Sequence, residues 1–271
     1  NEYLVFAEDV NFGPGSSDAG RLVGFRLSKN GEQVYLSAAE GGVLLGYRDM
    51  EDFGSSPRGE SFGRYFKPST GNFNFVLMDH TTKGSANAYP KVGPIVINEI
   101  MYNPESDNQS EEYIELYNMG PEEVALYDSS EGEPWRFTDG VEYTFPPAPG
   151  VAIPAGGYLL VAKDVTAYTV KYGLPPLGVL VLGPYDGSLS NGGEKLELSM
   201  PGDEDGSGTR YYIRADRVNY SDGSHPQNEP GGLDLWPIAA DGGGASLSRI
   251  APERYGNDPD NWEAAVPTPG H

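Results

Sequence analysis

The chain repeats itself. "LSKNGEQVYLS" at 27–37 and "LSNGGEKLELS" at 189–199 share Leu, Ser, Gly, Glu, Leu and Ser at six of eleven positions. "EYLVFAEDV" at 2–10 matches "GYLLVAKDV" at 157–165, and "SFGR" at 61–64 matches "SLSR" at 246–249. "TKGSAN" at 82–87 falls where "TPGH" closes the sequence. The order is the same in both sets, and the offset grows from about 155 to about 185 residues. That growth puts insertions at 200–214 and 221–245 of the second copy. Motifs repeated in one order mean two copies of one supersecondary plan. The copies are unequal. Residues 95–156 precede "GYLLVAKDV", and nothing corresponding precedes residues 2–10. The expected organisation is a partial sandwich lacking its first strands at 1–90, a linker at 91–94, and a complete sandwich with loop insertions at 95–271. A sandwich without its opening strands exposes sheet edges and apolar faces. Residues 1–90 therefore call for a partner, either upstream polypeptide or another subunit.

The local pattern is β. Val96, Asn98, Ile100 and Tyr102 alternate with Ile97, Glu99 and Met101, and "EEYIELYN" alternates in the same way. Further candidate strands are 143–146, 157–162, 178–183, 195–199, 210–215 and 217–220, and "NEYLVFAEDV" also has a strand pattern. "SNGG" supplies a tight-turn signal. One short helix is expected, around Val165–Tyr172. Glycine (37) and proline (23) occur throughout, with 18 tyrosines, which suits many short strands joined by turns. The class is all-β, with two tandem sandwiches expected.

The formal charge of -22 opposes binding to nucleic acid or an anionic membrane, and it favours cations. No apolar run approaches the length of a membrane span, so no membrane insertion is expected. The chain has no cysteine, which removes disulfides and thiolate metal sites. This composition fits an extracellular or cell-surface protein.

Four glutamates, Glu99, Glu111, Glu112 and Glu115, stand in "IVINEIMYNPESDNQSEEYIELYN". Paired carboxylates are the machinery of glycoside hydrolysis. They also serve as solvent-facing strand residues, or bond to a neighbouring basic or backbone group, and that reading is preferred. Glu32 and Glu194 hold equivalent repeat positions after a glycine, which suits a turn fixed through its N–H groups. Asp203, Asp205 and Ser207, with Gly208 following, have the alternating oxygen spacing of a calcium loop, but position twelve is Arg214. A structural Ca²⁺ site there competes with a plain acidic turn. His80, His225 and His271 are isolated in sequence, which argues against zinc. Trp236, in a Gly/Pro-rich insertion, and Tyr211 and Tyr212 are candidates for stacking against a sugar; core packing is the competing role.

"VINEIMYNP…EEYIELYN", "VALYD…WRFTDGVEYTFP", "IPAGGYLLVAKD", "LSNGGEKLELS" and "DPDNWEAAVPTPG" together resemble the lamin tail domain, in its bacterial secreted form. The resemblance covers nearly all of 95–271, and residues 1–90 resemble the C-terminal part of the same domain. It implies an immunoglobulin-like β-sandwich, core places for Trp135 and Trp262, and a non-catalytic role. The expected function is a structural or adhesion module of a larger extracellular bacterial protein. The alternative is a carbohydrate-binding accessory module of a polysaccharide-degrading protein, with an extracellular polysaccharide as partner.

Overall fold

A computed structural model describes residues 2–18, 23–228 and 231–271. The chain divides into two compact units. Unit 1 is Asn1–Tyr65 with Phe73–Lys91, and unit 2 is Phe66–Asn72 with Val92–His271.

Unit 1 is built from two strand pairs. β1 (Glu32–Glu40) and β2 (Val43–Phe53) form an antiparallel hairpin in which Glu32 faces Phe53. β3 (Phe62–Lys67) and β4 (Asn72–Leu77) form the second pair, and the end that joins them is counted with unit 2. Residues 2–10 do not form the expected strand. Residues 2–7 have no regular structure, and Glu8–Phe12 make one turn of π-helix. The alternating pattern is present, but a strand also needs a neighbour to accept its N–H and C=O groups. Tyr3, Leu4, Val5 and Phe6 are left exposed.

Unit 2 opens with β5 (Ile95–Met101) and β6 (Tyr113–Asn118). Four short pieces surround β10 (Arg136–Asp139): β7 (Val124–Ala125), β8 (Tyr127–Asp128), β9 (Glu133–Pro134) and β11 (Ala152–Ile153). Then come β12 (Tyr158–Ala162), α1 (Val165–Tyr172) and β13 (Leu180–Leu182). A long hairpin follows, β14 (Gly193–Glu204) and β15 (Arg210–Ser221), and then β16 (Ser246–Arg249) and β17 (Trp262–Ala265).

The main sheet has the order β13-β12-β6-β5-β16-β17, antiparallel except for β12 with β13. A second sheet has the order β10-β14-β15. Ile97, Ile114 and Leu116 of the first share one apolar cluster with Leu196, Leu198 and Val218 of the second. The opposite face of the main sheet packs Met101, Tyr113 and Leu160 against Tyr168 of α1. That helix lies where the sequence predicts it. Asp164 caps it by accepting from Ala167 N, and Gly173 ends it at φ +87°. Because both faces of the main sheet are covered, β5 and β6 are buried almost throughout.

The two copies of the repeated motif fold alike at one point. Ser28 N donates to Glu32 Oε1 at 2.5 Å, and Ser190 N donates to Glu194 Oε1 at 2.7 Å. Gly31 and Gly193 precede these glutamates at φ +99° and +100°. A Cβ on either would run into the facing strand, at Phe53 O or Tyr220 O. Each glutamate closes the bend that starts its hairpin, and only glycine fits beside it.

Candidate functional site

The glutamates of β5 and β6 come first, because they prompt the idea of an active site. Glu99 and Glu115 face one another across the strand pair. They are buried, as is Glu112, which corrects the solvent-facing position, while bonds to backbone groups, the other half of that reading, are present. Glu99 bonds Tyr113 of the helix-covered face, and Glu112 bonds Tyr185 and Leu189 of the larger cluster. Glu99 Oε1 accepts from Tyr113 OH at 2.8 Å, from Thr268 N at 3.1 Å and from Ser246 Oγ. Glu115 accepts from Asn98 Nδ2 at 2.8 Å and from Gly270 N at 2.5 Å. Glu112 Oε2 accepts from Tyr185 OH and Leu189 N. Burial pushes Glu115 up to about 7, against its Gly270 and Asn98 bonds and with help from Glu99. Burial likewise raises Glu99 and Glu112. These carboxylates fasten backbone: Glu99 and Glu115 hold Thr268–Gly270, and Glu112 holds Leu189. Glu111 accepts from Ser106 Oγ and Asn108 Nδ2 in the connecting loop.

Asp203, Asp205 and Ser207 lie at the turn of the β14–β15 hairpin. Asp205 Oδ1 accepts from Ser207 N, Ser207 Oγ and Thr209 N at 2.6–3.0 Å, and Oδ2 accepts from Tyr211 OH at 3.2 Å. The Ser207 hydroxyl, followed by the Thr209 and Ser207 N–H groups, holds Asp205 down at about 2. Donors of its own turn thus occupy the oxygen positions a calcium ion would use, and Gly208 at φ +83° lets that turn close. Asp203 is exposed and Ser207 bonds within the turn.

The aromatic candidates are spoken for within the fold. Trp236 is 5% exposed and packs on Trp262 with ring centroids 6.2 Å apart, so its ring belongs to the core. The insertion around it folds back, with Trp236 N donating to Asp234 Oδ1. The Arg136 guanidinium lies 3.7 Å over the Tyr212 ring, and Tyr211 bonds Asp205.

The same insertion assembles a group that the sequence spacing does not announce. Asp222, His225 and Asp234 bring three ligand atoms within 4.8 Å of one another. Asp222 directly follows β15. Gly223, at φ +82°, turns the chain tightly against Trp236 O and Ile238. Asp234 Oδ2 accepts from Ser221 Oγ at 2.5 Å and from His225 N at 3.1 Å, and His225 Nδ1 lies 3.0 Å from Asp222 Oδ1. Burial opposes the charge on Asp222, but Ser224 and His225 outweigh it and the group titrates below its ordinary value. Tyr102, packed on Tyr220, is fully buried, its hydroxyl without a hydrogen-bond partner. Burial, then Asp241, Asp222 and Asp234, push that phenol up. Two carboxylates and an imidazole can chelate a divalent ion, and the mixed donors suit zinc or manganese better than an all-oxygen calcium cage. Only the histidine is conspicuous in the sequence; its second carboxylate lies nine residues further along.

The family model described as the Lamin Tail Domain matches residues 89–217, from just before β5 into β15. No curated protein matches the chain. The described residues are β-rich, with several small antiparallel sheets. Among the described residues no helix is long and apolar enough to cross a membrane.

Proposed function

We propose that the chain is a non-catalytic structural or adhesion module of a larger extracellular protein, in which unit 2 is an immunoglobulin-like sandwich and unit 1 a partial copy of it. The observation that carries the functional reading is the use of Glu99 and Glu115. Their oxygens accept from Thr268 N and Gly270 N, so the carboxylates serve the chain's own backbone. The matching bends at Glu32 and Glu194 support the partial copy. Incubated with insoluble polysaccharides such as cellulose, chitin or xylan, the protein is expected to stay in the supernatant and release no sugar. Retention that is lost on Tyr212→Ala would favour the carbohydrate-binding alternative.

The structural cation of this reading sits at Asp222, His225 and Asp234. It is supported by the donor set. Zinc at a hundredfold excess over its dissociation constant would add about 3 kcal/mol to the native state. The expected result is a melting temperature raised by zinc, reversed by a chelator, and insensitive to both in Asp234→Asn. Calcium acting alone, through Asp203 and Asp205, would show as a calcium response that survives Asp234→Asn.

A further inference from the structure

Unit 1 carries an apolar cleft of about 510 Å³, lined by Phe6, Leu27, Val34, Leu36, Asp49 and Arg64 among others. The repeat shows what lies over the corresponding surface in unit 2. Aligning Glu32 on Glu194 puts Leu36 on Leu198, and the hairpin partners Phe53 and Tyr220 coincide. Leu36 is 61% exposed, whereas Leu198 is fully buried in the cluster holding Ile97, Ile114 and Leu116 of β5 and β6. Phe6 is 60% exposed, and its counterpart Val161, in β12, is fully buried and pairs with Ile114 of β6. Leu36 and Phe6, exposed in the cleft, thus have counterparts that are buried in unit 2.

The polar residues agree. Phe53 and Tyr220 fix the alignment of β2 with β15, and four residues earlier stand Asp49 and Asp216. Arg64 and Arg249 end the matching "SFGR" and "SLSR". Arg249 Nη1 bonds Asp216 Oδ2 at 2.7 Å, and Arg64 Nη2 bonds Asp49 Oδ1 at 2.5 Å. In unit 2 this pair grips the backbone of β5: Ile97 N donates to Asp216 Oδ2 at 2.9 Å, and Arg249 Nη1 donates to Ile97 O at 3.1 Å. The side chains of Arg249 and Asp216 are 0% and 9% exposed, those of Arg64 and Asp49 39% and 33%. Unit 1 has the corresponding pair partly open to solvent, with Arg64 Nε bonded in addition to Glu51.

Resting on the partial-copy reading, we propose that this cleft seats a two-stranded β-hairpin of the β5–β6 kind, with a Val/Ile/Leu face on Leu36 and Phe6 and its first strand held at one peptide by Arg64 and Asp49. In unit 2 the hairpin precedes β12 in the chain. A hairpin supplied ahead of Glu2 would follow the same order. Strand addition supplies backbone hydrogen bonds to residues 2–7 and along β3 on the side away from β4, and burial of the apolar face supplies the driving force.

The test duplicates residues 95–156 ahead of Glu2 in the full chain and follows amide exchange, with β5, β6 and β12 of unit 2 as internal controls. Residues 2–7 and 62–65 are expected to slow at least tenfold on duplication. Asp49→Ala with Arg64→Met in the extended chain is expected to return them to the fast rates. No slowing overturns the proposal. If residues 2–7 and 34–36 are already slow in the 271-residue chain, light scattering separates two outcomes, and both overturn it: a dimer means that a second copy covers the cleft, a monomer that the cleft is closed without a hairpin. Slowing that survives the double substitution removes the clamp but leaves the partial copy standing. Binding or release of sugar in the retention assay counts against the structural function alone.

Discussion

Arg249→Met is expected to destabilise unit 2 by about 3–5 kcal/mol, the usual result of removing one partner from a buried ion pair. The guanidinium serves three groups: Asp216, Ile97 O and Arg254 O. Without it, the buried Asp216 carboxyl loses its cationic partner, and two carbonyls lose a donor. The measurement is the urea midpoint of unit 2 at constant m-value. Replacing both partners, as Arg249→Met with Asp216→Leu, is expected to recover much of the loss, because no orphan charge remains. The equivalent change Arg64→Met in unit 1 removes two partly exposed pairs, with Asp49 and Glu51, and is expected to cost no more than about 1 kcal/mol for each. Similar costs at the two sites would contradict the difference in burial.

The second large effect is a fall in stability of unit 2 as pH rises from about 4.5 to about 7. Glu115 titrates at about 7 in the fold against an ordinary 4.5, so the folded state holds its proton more tightly than the unfolded state. The stabilisation is complete below the unfolded value and is lost as pH rises through the folded one. The difference of about 2.5 pK units corresponds to about 3 kcal/mol. Glu99 and Glu112 are raised by the same cause and act with the same sign. Asp205 and Asp222, which are lowered, act with the opposite sign and only in more acid solution. Melting is therefore expected at higher temperature at pH 5 than at pH 8. Glu115→Gln keeps an acceptor for Gly270 N and is expected to flatten the slope while raising stability at pH 8. A slope unchanged in that variant would assign the effect elsewhere.

Much of this architecture is legible in the sequence. Alternation locates β5, β6 and β12, and parts of β14 and β15, which it splits into 195–199, 210–215 and 217–220, and Asp164 with Gly173 brackets α1. The repeat finds the bends at Glu32 and Glu194, because a glycine followed by a glutamate at matched places has a local cause. Long-range packing is not legible in the same way. Glu99 and Glu115 look like solvent-facing residues until α1 and the segment Thr268–Gly270 enclose their face of the sheet. Residues 2–7 have a strand's pattern, yet a strand depends on what lies beside it. Trp236 looks exposed because its surroundings are rich in glycine and proline, but the insertion folds back onto Trp262. Asp222, His225 and Asp234 meet through the same folding back, which spacing alone does not encode.

The packing of Trp236 on Trp262 also has an optical consequence. The chain has three tryptophans, Trp135, Trp236 and Trp262, and all are core residues of unit 2. Red-edge excitation, absorbed by indole and not by phenol, therefore reports unit 2 alone. Tyr3, Tyr35, Tyr47, Tyr65 and Tyr89 give unit 1 only phenol emission. The choice of wavelength thus lets tryptophan emission follow the melting of unit 2 within the intact chain, with no label attached.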